Sequence, residues 1–378
     1  MTPKKILIIA GEPSGDLHAS NLVRDLQALD PDLSFFGIGG ALSRQAGVDI
    51  VFDITKLALV GVVEVLKHLN VVKQAHDAVV ARIDAERPDL AILVDYPGFN
   101  LKIAQGLARR DIPVVYYISP QVWAWGRQRV GLIKKYVKKI IVFFKFEEEL
   151  YKTYNIDAAF VGHPLLDVVR VTSSRRDVLR EHNIPDGDTV IALLPGSREF
   201  EIKTFLPILV KAADEIAKRR PRTHFFISKH PDKPAAMYES ALKGASFDYR
   251  LAEGRIHDIV GASDFAIVTS GTATLETAIV GTPLVIVYKV SLLTYILYKI
   301  VSDIKFLGIV NIVAGREIAP ELLQYDMTPK KIADRAVAIL SDPKTLSAMR
   351  EALQGVKASL GAPGASSRAA QAIIPLIS

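Results

Sequence analysis

The chain alternates short apolar runs with longer amphipathic stretches along almost its whole length. Lys5-Ile6-Leu7-Ile8-Ile9-Ala10 breaks into Gly11-Glu12-Pro13-Ser14-Gly15-Asp16, after which the pattern turns helical. Val190-Ile191-Ala192-Leu193-Leu194 repeats that grammar and breaks into Pro195-Gly196-Ser197-Arg198. A strand covered on both sheet faces has no polar side to show, so it reads as a continuous apolar run. Such runs predict strands at 5–10, 33–38, 89–94, 113–118, 140–144 and 158–161, and again at 189–194, 223–228, 247–251, 264–268 and 284–288. Helical patterns fill most gaps. Ser14 or Asp16 is placed to cap the first helix, and Thr328-Pro329 opens another that runs to Leu340. The alternation predicts an α/β fold with two Rossmann-like domains facing across a cleft.

The stretch Arg170 to Asp188 is polar and ends in the turn Pro185-Asp186-Gly187-Asp188, so the domain boundary is expected there. The first domain would span 1–170 and the second 186–360. The residues after Ala362-Pro363-Gly364 read as one more helix, 365–378, with the option of packing back on the first domain.

Val60 to Lys73 departs from this scheme. Val62, Val65, Leu66 and Leu69 form one helical stripe, while Val63 and Val72 lie off it. Two readings stand: a helix buried on two sides, or an amphipathic helix that dips into a bilayer with Lys67, His68 and Lys73 at the headgroups.

Composition narrows the chemistry. The 378 residues are 49% apolar and 23% charged, ordinary for a globular protein. Cysteine is absent, which removes disulfides and thiolate chemistry and fits the cytosol. The N-terminal apolar run is too short for a signal peptide, and no apolar stretch reaches the roughly 18 residues a membrane span needs. The net charge of +6 fits either plain solubility or attraction to anionic substrates and an anionic membrane surface. Nucleic acid is disfavoured, because the densest basic segment, Arg127 to Lys139, is short and no binding-module signature accompanies it. There is no His or carboxylate cluster at metal spacing, no Gly-x-x-x-x-Gly-Lys-Ser/Thr and no Gly-x-Ser-x-Gly. No metal and no cofactor are expected.

Leu194-Pro195-Gly196-Ser197-Arg198 turns sharply after a buried strand. Gly196 and Ser197 can present backbone N–H groups to an anion, and Arg198 adds a planar guanidinium suited to phosphate. The alternative is a plain strand–helix turn with an exposed Arg. Ser270-Gly271-Thr272-Ala273-Thr274-Leu275-Glu276 again sets hydroxyls and glycine at a helix start, where a diphosphate is favoured. Ser270, Gly271, Thr272 and Thr274 would hold it. Glu276 can accept two hydrogen bonds from a ribose diol, or can serve the helix dipole. In the first half, Asp95 of Asp95-Tyr96-Pro97-Gly98-Phe99-Asn100 ends a buried strand, where α/β ligands bind. It can act as a general base or cap the helix that follows. Glu12 projects from the first strand toward the same rim, or is only a turn residue. Ser14 and His163 are further candidates, although a lone His is more often structural. Trp123 and Trp125 line a pocket or belong to the core. Asn311, after an apolar run, could reach the cleft.

In this order the pieces resemble the lipid-A-disaccharide synthase family, essentially end to end. Its carriers are Ala10 through Asp16, Val60 through Leu66, Asp95 through Asn100, Tyr117-Ile118-Ser119-Pro120-Gln121-Val122-Trp123-Ala124-Trp125, Leu194 through Arg198, Ser270 through Glu276, and Asn311 through Glu317. The run of Ser119 to Trp125 is the most specific of them. The resemblance implies a GT-B glycosyltransferase fold. It implies transfer of diacylglucosamine from a UDP donor to 2,3-diacylglucosamine 1-phosphate, giving a β(1→6) disaccharide and UDP. Inversion, no metal, and peripheral attachment to the cytoplasmic face of the inner membrane come with it, and homodimer formation is left open. By the same resemblance Asp95 is the base, Glu12 the conserved acidic turn residue, Arg198 the donor-phosphate arginine and Asn311 the cleft asparagine. Val62, Val63, Val65, Leu66, Leu69 and Val72 become the membrane or acyl contact. One departure is Gly98, where the family's motif commonly has Asp; this leaves Asp95 as the motif's carboxylate.

Overall fold

The computed structural model describes residues 3–56, 69–123, 126, 128–290 and 305–377. Val62, Val63, Val65, Leu66 and Trp125 lie outside the described residues, as does the side chain of Leu69. The chain forms two compact units, Met1–Pro164 with Leu360–Ser378, and Leu165–Ser359.

The first unit is built on seven strands: β1 Lys5–Ala10, β2 Ser34–Gly39, β3 Val48–Asp53, β4 Leu90–Val94, β5 Val114–Tyr117, β6 Lys139–Val142 and β7 Ala158–Phe160. All pair parallel, in the order β3-β2-β1-β4-β5-β6-β7. Successive residues of one strand feed two different cores. Leu7, Ile9, Leu93 and Tyr116 pack on one face with Phe99, Ile103 and Leu107 of the helix Pro97–Ala108. Ile6, Ile8, Ile92 and Val115 pack on the other face with Ala19, Leu22, Val23 and Leu26 of the helix Pro13–Leu29. Burial on both faces is why these strands read as unbroken apolar runs. The helix Ala365–Ile373 joins the second core through Ala365, Ala369, Ala370 and Ile373. Val72, in the helix Leu69–Glu86, packs half-buried against the first core.

The second unit repeats the plan with β8 Thr189–Leu194, β9 Thr223–Lys229, β10 Asp248–Glu253, β11 Phe265–Thr269, β12 Leu284–Tyr288 and β13 Glu321–Leu323. Its order is β10-β9-β8-β11-β12-β13, again all parallel. The polar stretch after Arg170 is part of this unit. Val178, Leu179 and Ile184 enter a core with Val190 and Phe226. The buried Asp258 accepts hydrogen bonds from Thr172 N at 2.5 Å and Thr172 Oγ1 at 2.8 Å.

Two strands escape the apolar-run reading, and both lie at sheet edges. β3 is Val-Asp-Ile-Val-Phe-Asp and only its first residue is buried. β13 has three residues, too few to carry a pattern. The Thr328 cap is as expected: its side chain accepts from Lys331 N at the start of the helix Pro329–Leu340. Asp16 does not cap its own helix. It is buried, and it accepts from the N–H groups of Gly40, Leu42 and Ser43 at 2.7, 3.1 and 3.1 Å and from the Ser43 hydroxyl. It thereby caps the helix Ala41–Gln45, which follows the neighbouring strand β2. No described helix is long and apolar enough to cross a membrane.

Candidate functional site

In each sheet the strand order reverses direction once, between β1 and β4 in the first unit and between β8 and β11 in the second. Helices leave such neighbouring strands toward opposite faces, and the turns part to leave a crevice at the strands' C-terminal ends. In the first unit those turns carry Glu12 and Asp95. In the second they carry Pro195–Arg198 and Ser270–Thr272.

The two turns of the first unit touch. A Cβ on Gly11 would lie 2.4 Å from the Tyr96 ring, so only glycine lets that ring approach. Glu12 is exposed on extended backbone at the cap position of the helix Pro13–Leu29, and no side chain caps that helix. Ser14 is exposed in its first turn. Asp95 and Tyr96 both have φ of 45°, and Ile118 at the end of β5 has φ of 68°. Left-handed backbone costs a non-glycine residue roughly 1–2 kcal/mol, and such strain gathers at functional sites. Here a dense set of hydrogen bonds holds it. Asp95 N donates to Tyr117 O at 3.0 Å. Asp95 O accepts from Tyr116 Oη at 2.6 Å and from Asn100 Nδ2 at 2.7 Å.

Asp95 is not a helix cap. The helix Pro97–Ala108 begins behind Tyr96 and has no side-chain cap. Burial lifts the Asp95 carboxyl from 3.8 to about 6, with the Glu12 charge adding to the rise and a hydrogen bond from Tyr96 N–H opposing it. A half-buried carboxylate titrating near 6 suits a base that works near neutrality. Because Glu12 contributes to the rise, Glu12→Gln is expected to move that titration below 6. The acid limb of the rate–pH profile should shift with it, and an unmoved limb would separate the two carboxyls.

Further along this rim His163 follows β7, with its ring 4.9 Å from Phe144 and 5.7 Å from Phe143. Burial and then the neighbouring His18 push its pKa down to about 4. His18, missed in the sequence, meets Phe143 at 5.6 Å. Trp123 donates from Nε1 to Glu147 Oε1 at 3.1 Å. Burial raises the Glu147 carboxyl to about 7.

In the second unit Arg198 occupies the cap position of the helix Glu199–Arg219, and its side chain is 79% exposed. Ser197 does not cap that helix; Glu201 does, accepting from Ser197 N and Arg198 N at 3.2 Å each. Ser270 N donates to Val287 O at 3.0 Å and its hydroxyl to Leu307 O at 3.1 Å. Gly271 and Thr272 are exposed at the start of the helix Thr272–Val280. Thr274 is fully buried, and its hydroxyl donates to Gly271 O at 2.8 Å, so it shapes the turn rather than meeting a ligand. Glu276 is half-buried, with Oε2 3.2 Å from Nε2 of His257, a partner the sequence reading missed.

Asn311 has no reach to a ligand. It is fully buried. Its Nδ2 donates to Ala319 O at 2.7 Å and Glu321 Oε1 at 2.8 Å. Its Oδ1 accepts from Ile318 N at 2.9 Å and Ala319 N at 3.0 Å. An amide has two donors and two acceptor sites, and all four are spent pinning the helix Ile309–Ala314 to β13.

The sequence profile described as Lipid-A-disaccharide synthetase matches residues 6–373. The chain belongs to the lipid-A-disaccharide synthase family. A lipid-A-disaccharide synthase of Syntrophus aciditrophicus is 42% identical over 378 residues, covering 100% of this chain and 99% of the relative. Members of the family are hexosyltransferases, so the chain is an enzyme of that class. Solved structures agree on the fold. A putative UDP-N-acetylglucosamine 2-epimerase from Listeria monocytogenes superposes with a TM-score of 0.64 at 15% identity, over 99% of this chain and 96% of that one. A glycosyltransferase of kitacinnamycin does so with a TM-score of 0.64 at 15% identity, over 100% of both chains. The two parallel sheets are those of a GT-B glycosyltransferase. At Gly98 an added Cβ would meet nothing within 4 Å.

Proposed function

We propose that this family member joins UDP-2,3-diacylglucosamine to 2,3-diacylglucosamine 1-phosphate, releasing UDP and a β(1→6)-linked disaccharide 1-phosphate with inversion at the anomeric carbon. Asp95 carries the proposal: it is a half-buried carboxylate at the switch point of the first sheet, titrating near 6 and spared from capping. Asp95 takes the proton of the acceptor's 6-hydroxyl as that oxygen bonds to the anomeric carbon. The bond from that carbon to the diphosphate breaks, and its electron pair leaves with UDP. The second unit binds the donor. Arg198 and the start of the helix Thr272–Val280 oppose the charge that grows on the leaving diphosphate. Glu276, oriented by His257, accepts from the ribose hydroxyls.

The acceptor and product are lipids, so the protein works at the cytoplasmic face of the inner membrane as a peripheral protein. A basic segment supports this reading. The helix Arg129–Tyr136 exposes Leu132 and, one turn on, Lys135, with Lys134 and Lys138 also exposed nearby in the chain. An exposed apolar side chain in a lysine-rich segment suits an anionic headgroup layer.

The deciding experiment is incubation with both substrates and mass detection of the disaccharide. Acceptor-dependent UDP release with the disaccharide mass is expected. Interconversion of a UDP-sugar without acceptor would make the chain an epimerase instead.

A further inference from the structure

The turn after β8 already holds an anion of its own. Glu201, one turn into the helix Glu199–Arg219, folds back so that Oε2 accepts from both Ser197 N and Arg198 N at 3.2 Å. Its Oε1 lies 3.6 Å from Nη1 of Arg198. Only 10% of the Glu201 side chain is exposed. Gly196 sits against this carboxylate at φ of 104°, and a Cβ there would stand 2.3 Å from Oε2. Part of the arrangement is a helix cap, since a Glu three residues after the cap position commonly accepts that residue's N–H. A cap needs one N–H and one oxygen. Here a second N–H is taken, and the second oxygen faces a guanidinium.

The backbone donors that such a turn offers to a phosphate are therefore committed to a carboxylate nearly removed from water. A diphosphate pressed against them would meet like charge. What the turn leaves open is the exposed guanidinium. On the neighbouring turn, among the described residues, no side chain accepts from the N–H groups of Gly271 or Thr272.

We propose that Glu201 is a positioning residue for the donor: it fills the backbone seat of the turn and aims Arg198, so that the diphosphate is read by the guanidinium and the start of the helix Thr272–Val280. This rests on the reading that Arg198 meets the diphosphate.

The test is Glu201→Gln, alone and with Arg198→Ala. Glutamine keeps an oxygen for the two N–H groups but replaces the oxygen facing Arg198 with an NH2 group. The expected result is a fall in kcat/KM for the UDP-sugar of roughly 10- to 100-fold, the scale of a misplaced contact, at an unchanged melting temperature. In the Arg198→Ala background the same change should be silent. A Glu201→Gln variant with wild-type kcat/KM would reduce Glu201 to a helix cap. An equal loss in both backgrounds would show that it does not act through Arg198. Full activity of Arg198→Ala would remove the diphosphate seat itself, and this inference with it.

Discussion

Asp95→Asn is expected to lower kcat by about 10²–10⁴-fold, the usual contribution of a general base, while UDP affinity is unchanged. The substitution suits the site sterically. Asp95 has φ of 45°, and asparagine is among the non-glycine residues most at ease there. The main-chain bonds to Tyr116, Asn100 and Tyr117 do not involve the carboxylate. What is lost is the carboxylate, with its charge and its capacity to take a proton.

The pH dependence has a definite sign. Burial first, and the Glu12 charge second, raise the Asp95 carboxyl to about 6, so the proposed base is protonated below that value and ionised above it. Wild-type kcat/KM should therefore climb with pH through about 6 and level off, and the variant should lose that limb. Stability runs the other way. Between 3.8 and about 6 the folded protein holds this proton more firmly than the unfolded chain, so folding stability falls as pH rises through that window. The difference is at most about 3 kcal/mol. Asp95→Asn should thus melt higher than the wild type above pH 6 and no higher below about pH 4. Steady-state rates from pH 5 to 9, with thermal melts below pH 4 and above pH 6, check this. Undiminished turnover would take Asp95 out of the mechanism.

Arg198→Ala is expected to cost about 10²–10³-fold in kcat/KM, the scale for losing one preorganised donor to a developing negative charge. Unlike the first variant it should weaken UDP binding as well, because the diphosphate is charged in the ground state. The fold should barely notice: the side chain is 79% exposed, and its ion pair among the described residues is the one with Glu201 at 3.6 Å, whose other oxygen keeps the backbone N–H groups of the turn. Calorimetric titration with UDP and a donor-saturation curve separate the two effects. If neither changes, Arg198 does not meet the diphosphate.

Much of the fold was legible because local physics forces it. Strands buried on both faces must be apolar throughout, and β1, β4, β8 and β11 show it plainly. A glycine-bearing turn after such a strand announces the rim, and both rims were read from Gly11–Asp16 and Pro195–Arg198. β3 and β13 were not legible: β3 is buried only at its first residue and mixes aspartate with apolar residues, and β13 is three residues long, too short to carry a pattern.

The roles within the rims divide the same way. Residue type and place along the strand–turn–helix grammar brought out Asp95, Glu12, Arg198 and Glu276. Sequence spacing said nothing of Asp16 reaching Gly40, Leu42 and Ser43, of Asn311 spending its amide on Ala319 and Glu321, or of His257 meeting Glu276. These are bonds between side chains and distant backbone or distant side chains, and nothing periodic marks them. The chain alone thus determined the class of fold and the strand-end turns that carry Glu12, Asp95, Arg198 and Ser270 to Thr272. Tertiary packing decided which polar residues are free to meet a ligand. A buried polar group must first satisfy its hydrogen bonds, and where those partners lie depends on which strands become neighbours.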